Sequence, residues 1–423
     1  MRSLATTTTL AVLAVFAATA VASSGHLDPA FGRGGIVVSN FGNDVRPFDA
    51  VLQPDGKIVV VGGVNNFQIA TELATVIRYM TDGSLDQSFG KNGVATESLT
   101  NFINEAEAVV LQSDGKILIL ERSAHSNGVD DEFALVRFQS NGHRDLSFGS
   151  SGRVVIQIPH PSFFRVSIDT LLLQPDQKIL IGGSVVAPRH NPTPPKTVLA
   201  RYTTKGATDP TFGSNGVTEV VAISAPDAMA VLADGSILAV NISQQTAQFT
   251  AKGTLLPRVI GGFVMASTHR GTTAFRSSGT FLVAAGGPGP SGENDLDVNV
   301  RLIDPTGVPD PNFRSPLFDF GAGGPFVNEA QAIAIGPTGE IAVAGFSQTP
   351  SFGDDFGVAR LNSNGSLDAT FANGGTLTTH FPHGGQVLVV LIQSDAKIVA
   401  IGQSFSGDTA ISVDLALARY LTQ

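Results

Sequence analysis

Apolar residues fall along the chain in short blocks, such as "DAVLQ" and "KIVVVGG" or "ATVIRYM" and "GVATES", cut apart by Gly, Asp, Asn and Pro. No window carries the 3.6-residue spacing of an amphipathic helix, so the pattern predicts an all-β chain. In "QPDGKIVVVGG" from Gln53 an Asp-Gly pair separates two apolar runs. That pair accepts the positive φ of a type I′ turn and predicts a hairpin. The second run is apolar at successive rather than alternate positions, which predicts a strand covered on both faces.

Three phrases then recur in fixed order. The hairpin returns from Ala108, Thr170, Ala230, Ala274, Ala332 and Leu388. A strand ending in arginine returns at Arg78, Arg137, Arg201, Arg301, Arg360 and Arg419, with Gln248 in the fourth copy. The linking phrase "SLDQSFGKNG" from Ser84 is written again from His26, His143, Ala207 and Ser366. The turn positions Asp55, Asp114, Asp176, Asp234, Ser278, Thr338 and Asp395 stand 57 to 62 residues apart, except for one interval of 44. Seven copies of about 57 residues each therefore fill residues 23–423 as a single domain. Four short antiparallel strands per copy, buried on both faces, predict a seven-bladed β-propeller. The chain begins with an outer-type strand, "GIVVSN" from Gly35, and ends with a third-type strand, "LALARYL" from Leu415. The two ends are expected to pair and close the last blade.

"LDQSFG", "QPDGKIVVVGG" and "VIRY" together resemble the bacterial delta-60 repeat β-propeller family, distantly similar to NHL-type propeller repeats. The resemblance implies propeller blades over residues 26–423 and says nothing about activity. Residues 207–308 depart most from the pattern. Within the repeat, Asp86 is expected to accept hydrogen bonds from Arg78, and Phe89 to plug the space between neighbouring blades. Arg137 with Phe148, and Arg201 with Phe212, stand in the same places. The fourth copy loses the arginine and the aspartate together, with Gln248 and Leu256 instead. A ring of ligand-binding arginines is the competing reading.

Residues 1–22 hold one basic residue, an apolar run and small residues at Ala20 and Ala22, the pattern of a signal peptide. That predicts a secreted, periplasmic or cell-surface protein. No later segment is long and apolar enough to span a bilayer. The formal charge of -10 argues against nucleic acid and anionic membranes as partners. The chain has no cysteine, which excludes disulfides, thiol catalysis and cysteine metal sites. Its core is expected to suffice for a monomer.

No HExxH and no GxSxG elbow occurs, and "HFPH" from His380 is the closest approach to a metal motif. "GGPGPSGEND" from Gly286 reads as a plain loop. The hairpin turns and linking phrases are stereotyped and belong to one face of the disc. Loops on the other face vary and carry Asp130, Asp131, Glu132, Glu293, Asp295, Asp297, Asp354, Asp355, Asp408 and Asp414. Glu107, Asp169 and Asp227 take matching places at the start of three consecutive innermost strands. Such acids keep an exported domain soluble. Gathered at a channel, they also suit Ca²⁺ or a basic protein or small ligand. The expected function is a binding or interaction module using the variable face. The alternative is a hydrolase or lyase at the central channel, which requires His, acid and Arg side chains to converge there.

Overall fold

The computed structural model describes residues 25–41, 44–66, 71–100, 103–124, 131–161, 164–188, 190–241, 243–260, 271–289, 292–321, 327–348, 353–406 and 412–422. The leader reading of residues 1–22, Asp130 and Asp408 lie outside them. No helix occurs among the described residues.

A short strand β1 (Ile36–Ser39) precedes a first unit of β2 (Val45–Leu52), β3 (Ile58–Asn66), β4 (Thr71–Tyr79) and β5 (Val94–Glu97). The second unit holds β6 (Ile103–Leu111), β7 (Ile117–Ala124), β8 (Glu132–Phe138) and β9 (Arg153–Val155). The third holds β10 (Arg165–Leu173), β11 (Ile179–Val186), β12 (Lys196–Tyr202) and β13 (Val217–Val220). The fourth holds β14 (Ala228–Val231), β15 (Ile237–Val240), β16 (Thr246–Phe249) and β17 (Leu255–Ile260). Three strands form the fifth: β18 (Thr273–Phe275), β19 (Phe281–Gly289) and β20 (Gly292–Ile303). The sixth holds β21 (Asn328–Ile335), β22 (Ile341–Gln348), β23 (Asp354–Leu361) and β24 (Thr376–Thr379). The last holds β25 (Gly385–Ile392), β26 (Ile398–Ser406) and β27 (Ser412–Tyr420).

Strands pair antiparallel in chain order within each unit, and a single parallel bridge between Glu72 and Ile103 joins the first unit to the second. β1 pairs with β27, Ile36 opposite Ala418, so the N-terminal strand is the fourth strand of the last unit. The core lies between the sheets. Val59, Val61 and Val76 pack on Val109, Ile117 and Ile119 of the second unit, while Ile58, Val60 and Ile77 pack on Val399, Ile401 and Leu417 of the last. A sheet sandwiched in this way needs consecutive apolar residues, which is why β3 and its counterparts do not alternate.

The linking phrase joins each unit to the next. Arg78 Nε donates to Asp86 Oδ2 at 2.9 Å, its guanidinium lies 4.5 Å over the Phe89 ring, and Nη1 donates to the Ser140 carbonyl of the following unit. Gly90 N–H donates to the Asn141 carbonyl beside it at 2.8 Å. The same set recurs as Arg137, Asp145 and Phe148 against Thr204, and as Arg201, Asp209 and Phe212 against Ala251. Phe89, Phe148 and Phe212 are fully buried. Gly142, at φ +84°, lies flat on the Phe89 ring, and a Cβ there would fall 3.0 Å from it. Burial alone would raise the Asp86 carboxyl. The Ser88 hydroxyl and amide, with the charges of Arg78 and Lys57, hold it below its ordinary value.

Two sequence expectations are corrected. Arg301 does not share the arginine place: in the fifth unit Ile303 stands opposite Phe281 and Leu302 opposite Leu282, as Tyr79 and Arg78 stand opposite Ile58 and Val59. The following turn has the same length, with Asp304 N–H donating to the Val308 carbonyl as Met80 N–H does to Ser84, so Arg301 stands one strand position earlier, on the other side of its strand, and is exposed. Asp310 nonetheless remains in that unit, so the aspartate is not lost wherever the arginine is. The glycine-rich stretch from Gly286 is not a plain loop but largely ladder, with Gly286 opposite Val298 and Gly287 opposite Asp297.

Candidate functional site

The innermost strands of all the units line one cavity of about 590 Å³, within the range of roughly 300–1,000 Å³ common for small-ligand sites. Its geometry follows from a β-bulge. β2, β6, β10, β21 and β25 each break register at one residue: Phe48, Glu107, Asp169, Gln331 and Leu388. A bulge re-aims the extra side chain, here toward the cavity that each of these residues lines. Across from the bulge the partner strand comes so close that a Cβ on Gly62, Gly183, Gly345 or Gly402 would lie within 2 Å of a carbonyl oxygen. Glycine relieves that approach in four of the five bulged units, while the second sets Glu121 in the same register.

Counting back seven residues from each hairpin turn position gives Phe48, Glu107, Asp169, Asp227, Gly271, Gln331 and Leu388, and all seven line the cavity. Three acids thus stand side by side, followed by Gly271, Gln331, Leu388 and Phe48. Glu107 and Asp169 lie within β6 and β10 rather than at their start, and Asp227 immediately precedes β14. Asp169 accepts a hydrogen bond from the Ser167 hydroxyl at 2.6 Å. Glu107 stands 3.5 Å from Arg122, whose guanidinium also reaches Glu105 at 3.4 Å and Asp131 at 2.9 Å. The three acids share a cavity, each rising from a different sheet. Among the described residues no group of three or more acid or histidine side chains is placed to hold a metal ion, so the Ca²⁺ expectation has no ligand set there. His380 of "HFPH" instead meets Asp355, Nδ1 to Oδ1 at 2.9 Å.

Asp49 also lines the cavity, one residue beyond the first bulge. Its two oxygens accept the N–H groups of Ala50 and Val109, each at 2.8 Å, tying β2 to β6. Burial pushes its carboxyl up to about 6 despite those bonds. Burial, with the charges of Glu107 and Glu72, likewise pushes Glu105 up to about 7. Asp49, Arg122 and Gln331 were not singled out from the sequence. Gln331 was findable, because it occupies the position of Glu107 and Asp169 relative to its turn.

The acids of the variable face are mostly engaged. Asp354 accepts from Gln386 at 2.6 Å, Asp414 from Asn40 at 2.8 Å, and Asp297 is buried. Among the described residues that line the cavity, none is Lys, Arg, His or Ser.

Residues 53–89, 112–148, 174–212 and 336–371 match the β-propeller domain of unknown function DUF5122. Each match runs from a hairpin turn to the phenylalanine of the linking phrase. With the stacked antiparallel sheets, these matches define the fold as a β-propeller. No curated protein sequence matches the chain. Among solved structures, YCF48 bound to D1 peptide is similar at 13% identity and TM-score 0.45, over 95% of this chain and 100% of that one. An α-L-arabinanase of Penicillium chrysogenum complexed with arabinobiose is similar at 13% identity and TM-score 0.41, over 89% and 94%. The α-L-arabinofuranosidase Arb93A of Fusarium graminearum, with an iminosugar inhibitor, is similar at 12% identity and TM-score 0.43, over 90% and 94%. No helix among the described residues is long and apolar enough to cross a membrane.

Proposed function

We propose that this chain is an exported, monomeric binding module: a seven-bladed propeller of residues 23–423, closed by β1 on β27, whose channel takes a positively charged partner. The ring reading is supported by the seven turns, spaced 57 to 62 residues apart but for one interval of 44, by the pairing of Ile36 with Ala418, and by one cavity shared by all the innermost strands. Export is supported by the leader-like composition of residues 1–22. The binding reading is carried by one observation. Asp49, Glu107, Asp169 and Asp227, from four consecutive blades, line one cavity to which no Lys, Arg or His side chain contributes among the described residues. Cationic ligands are attracted to such a cavity because its low-dielectric walls focus the field of the acids. A hydrolase at this channel would draw its acid, base or nucleophile from these same carboxylates. The repeated arginines are better read as inter-blade clasps than as a ligand ring, since Arg78, Arg137 and Arg201 are buried and each is paired with its own aspartate.

Calorimetric titration with matched basic and acidic peptides tests the reading. Binding of the basic peptide, weakened by salt and by Asp169→Asn, is the expected result. Equal binding of both peptides, or binding of the acidic one alone, would refute it.

A further inference from the structure

Four hairpin turns carry a lysine that covers the clasp aspartate of the same blade. The ammonium groups of Lys57, Lys116, Lys178 and Lys397 stand 3.5, 3.9, 3.2 and 3.4 Å from Asp86, Asp145, Asp209 and Asp28. In the sixth unit the turn reads "GPTGE", with Gly336 in the place of Gln53, Gln112, Gln174 and Gln393, and Glu340 in the place of the lysines. The charge beside the clasp is thereby reversed. The Glu340 carboxylate folds back over Gly336, where a Cβ would lie 2.1 Å from its Oε1. Its Oε2 accepts the Thr338 N–H at 3.0 Å, while Oε1 is buried without a hydrogen-bond partner. Asp368, with no lysine over it, keeps 15% of its side chain exposed, against 4–6% for the four covered aspartates.

Glu340, Arg360, Asp368, Ala396 and Thr422 line a pocket of about 310 Å³ at this clasp, which shares no residue with the channel. Thr422 is 6% exposed, and its hydroxyl also lacks a hydrogen-bond partner. Two buried oxygens at one pocket are thus left without a donor, an arrangement that disfavours the empty state. Arg360 is the one cation among the described residues that line the pocket, so Glu340 and Asp368 leave one negative charge over. In the other clasps a lysine and an arginine balance two aspartates.

We propose that this pocket binds a primary ammonium group, which takes the place filled elsewhere by Lys57, Lys116, Lys178 and Lys397. An ammonium has three N–H donors, and Glu340 Oε1, the Thr422 hydroxyl and the Asp368 carboxylate supply three acceptors. A single positive charge also restores the balance of the other clasps. Ca²⁺ suits the pocket poorly, because it takes roughly six to eight oxygens and no group of three acids or histidines gathers here among the described residues. The group belongs to a small amine or to a lysine of a protein docked on the turn face.

Thermal melting and calorimetry of the full chain with methylammonium chloride, potassium chloride, calcium chloride and a capped Gly-Lys-Gly peptide, at matched ionic strength, test the proposal. Methylammonium should raise the melting midpoint of the wild type more than potassium does. Glu340→Lys, which carries the ammonium on its own chain, should melt higher than the wild type without amine and should lose that response. Thr422→Val should weaken methylammonium binding roughly three- to tenfold, the loss of one hydrogen bond. Tighter binding of the peptide than of methylammonium assigns the group to a partner's lysine, and weaker binding assigns it to a free amine; both outcomes support the pocket. An equal methylammonium response in Glu340→Lys and the wild type would overturn the inference and leave the channel reading standing. A Glu340-dependent gain larger with calcium than with methylammonium, or no gain with either amine, would overturn it as well.

Discussion

Arg419 Nε donates to Asp28 Oδ2 at 3.0 Å although the two residues are 391 positions apart. The same guanidinium lies 4.5 Å over the Phe31 ring and reaches the Thr81 carbonyl of the first blade. Every internal copy of this set draws its arginine and aspartate from one continuous stretch, as Arg78 and Asp86 do. Here the aspartate and the phenylalanine come from the N-terminal end and the arginine from the C-terminal end. The copy of the linking phrase that begins at His26 is thus the missing half of the last repeat, not a spare at the start of the first.

The phenylalanine of the phrase should be worth a large truncation penalty. Phe89 is fully buried, with Arg78 on one side of its ring and Gly142 against it. Phe89→Ala should therefore destabilise by roughly 3–5 kcal/mol, read as a shift in the midpoint of chemical denaturation. A shift under about 1 kcal/mol would mean that the ring is not a blade plug.

Two glycine substitutions separate steric from conformational demand. Gly183 does not adopt a positive φ, yet a Cβ there would lie 1.9 Å from the Ser167 carbonyl. Gly183→Ala should cost at least roughly 1–3 kcal/mol by overpacking and should disturb the bulge that aims Asp169 into the channel. Gly115 has φ +81° and open space around it, so Gly115→Ala should cost only the roughly 1–2 kcal/mol of a left-handed alanine. Equal costs in paired melting curves would contradict the close-approach account.

Stability should pass through a maximum near mildly acidic pH. The clasp carboxyls Asp28, Asp86, Asp145, Asp209 and Asp368 are held below their ordinary values. Their contribution is present above the unfolded value of about 4 and is lost as pH falls through the lowered ones. Asp49 is pushed up to about 6, and Glu105 and Glu121 to about 7, in each case chiefly by burial. For these the folded chain holds more protons than the unfolded one between about pH 4 and 7, so stability falls as pH rises through that window. Glu121 stands where the other bulged units have Gly62, Gly183, Gly345 and Gly402. It is fully buried, both of its oxygens lack a hydrogen bond, and its ion-pair partner Arg153 is 3.6 Å away. The melting temperature should rise from pH 7.5 to pH 5 and drop below pH 4, and Glu121→Gln should flatten the upper limb. A melting temperature that climbs steadily from pH 5 to 7.5 would contradict these assignments.

The repeat, the strands and the inter-blade phrase were legible because each rests on residues that only one local geometry accommodates: Asp-Gly at the turn, consecutive apolar residues in β3, Asp86 eight positions after Arg78. The register of Arg301 was not legible. Leu302 fills the place eight positions before Asp310, and an arginine one position earlier in the strand hides the slip. The three acids could be picked out by their shared distance from the turn, but the bulge that aims them leaves no signature of its own beyond Gly62 and its counterparts. Arg122 and Asp49 escaped notice because each departs from the repeat in one blade, and a single departure is indistinguishable from wear until the partners are seen.

Denaturant unfolding of Asp28→Ala beside Asp86→Ala tests the ring most directly. Both carboxylates are buried, at 3% and 4% exposure, and each is paired with a buried arginine. Removing either leaves that charge uncompensated, a loss of roughly 3–5 kcal/mol. If the N-terminal phrase completes the last blade, the two variants should lose about the same stability in a single cooperative transition. An unchanged midpoint for Asp28→Ala, with the full loss for Asp86→Ala, would show that the chain ends do not close the propeller.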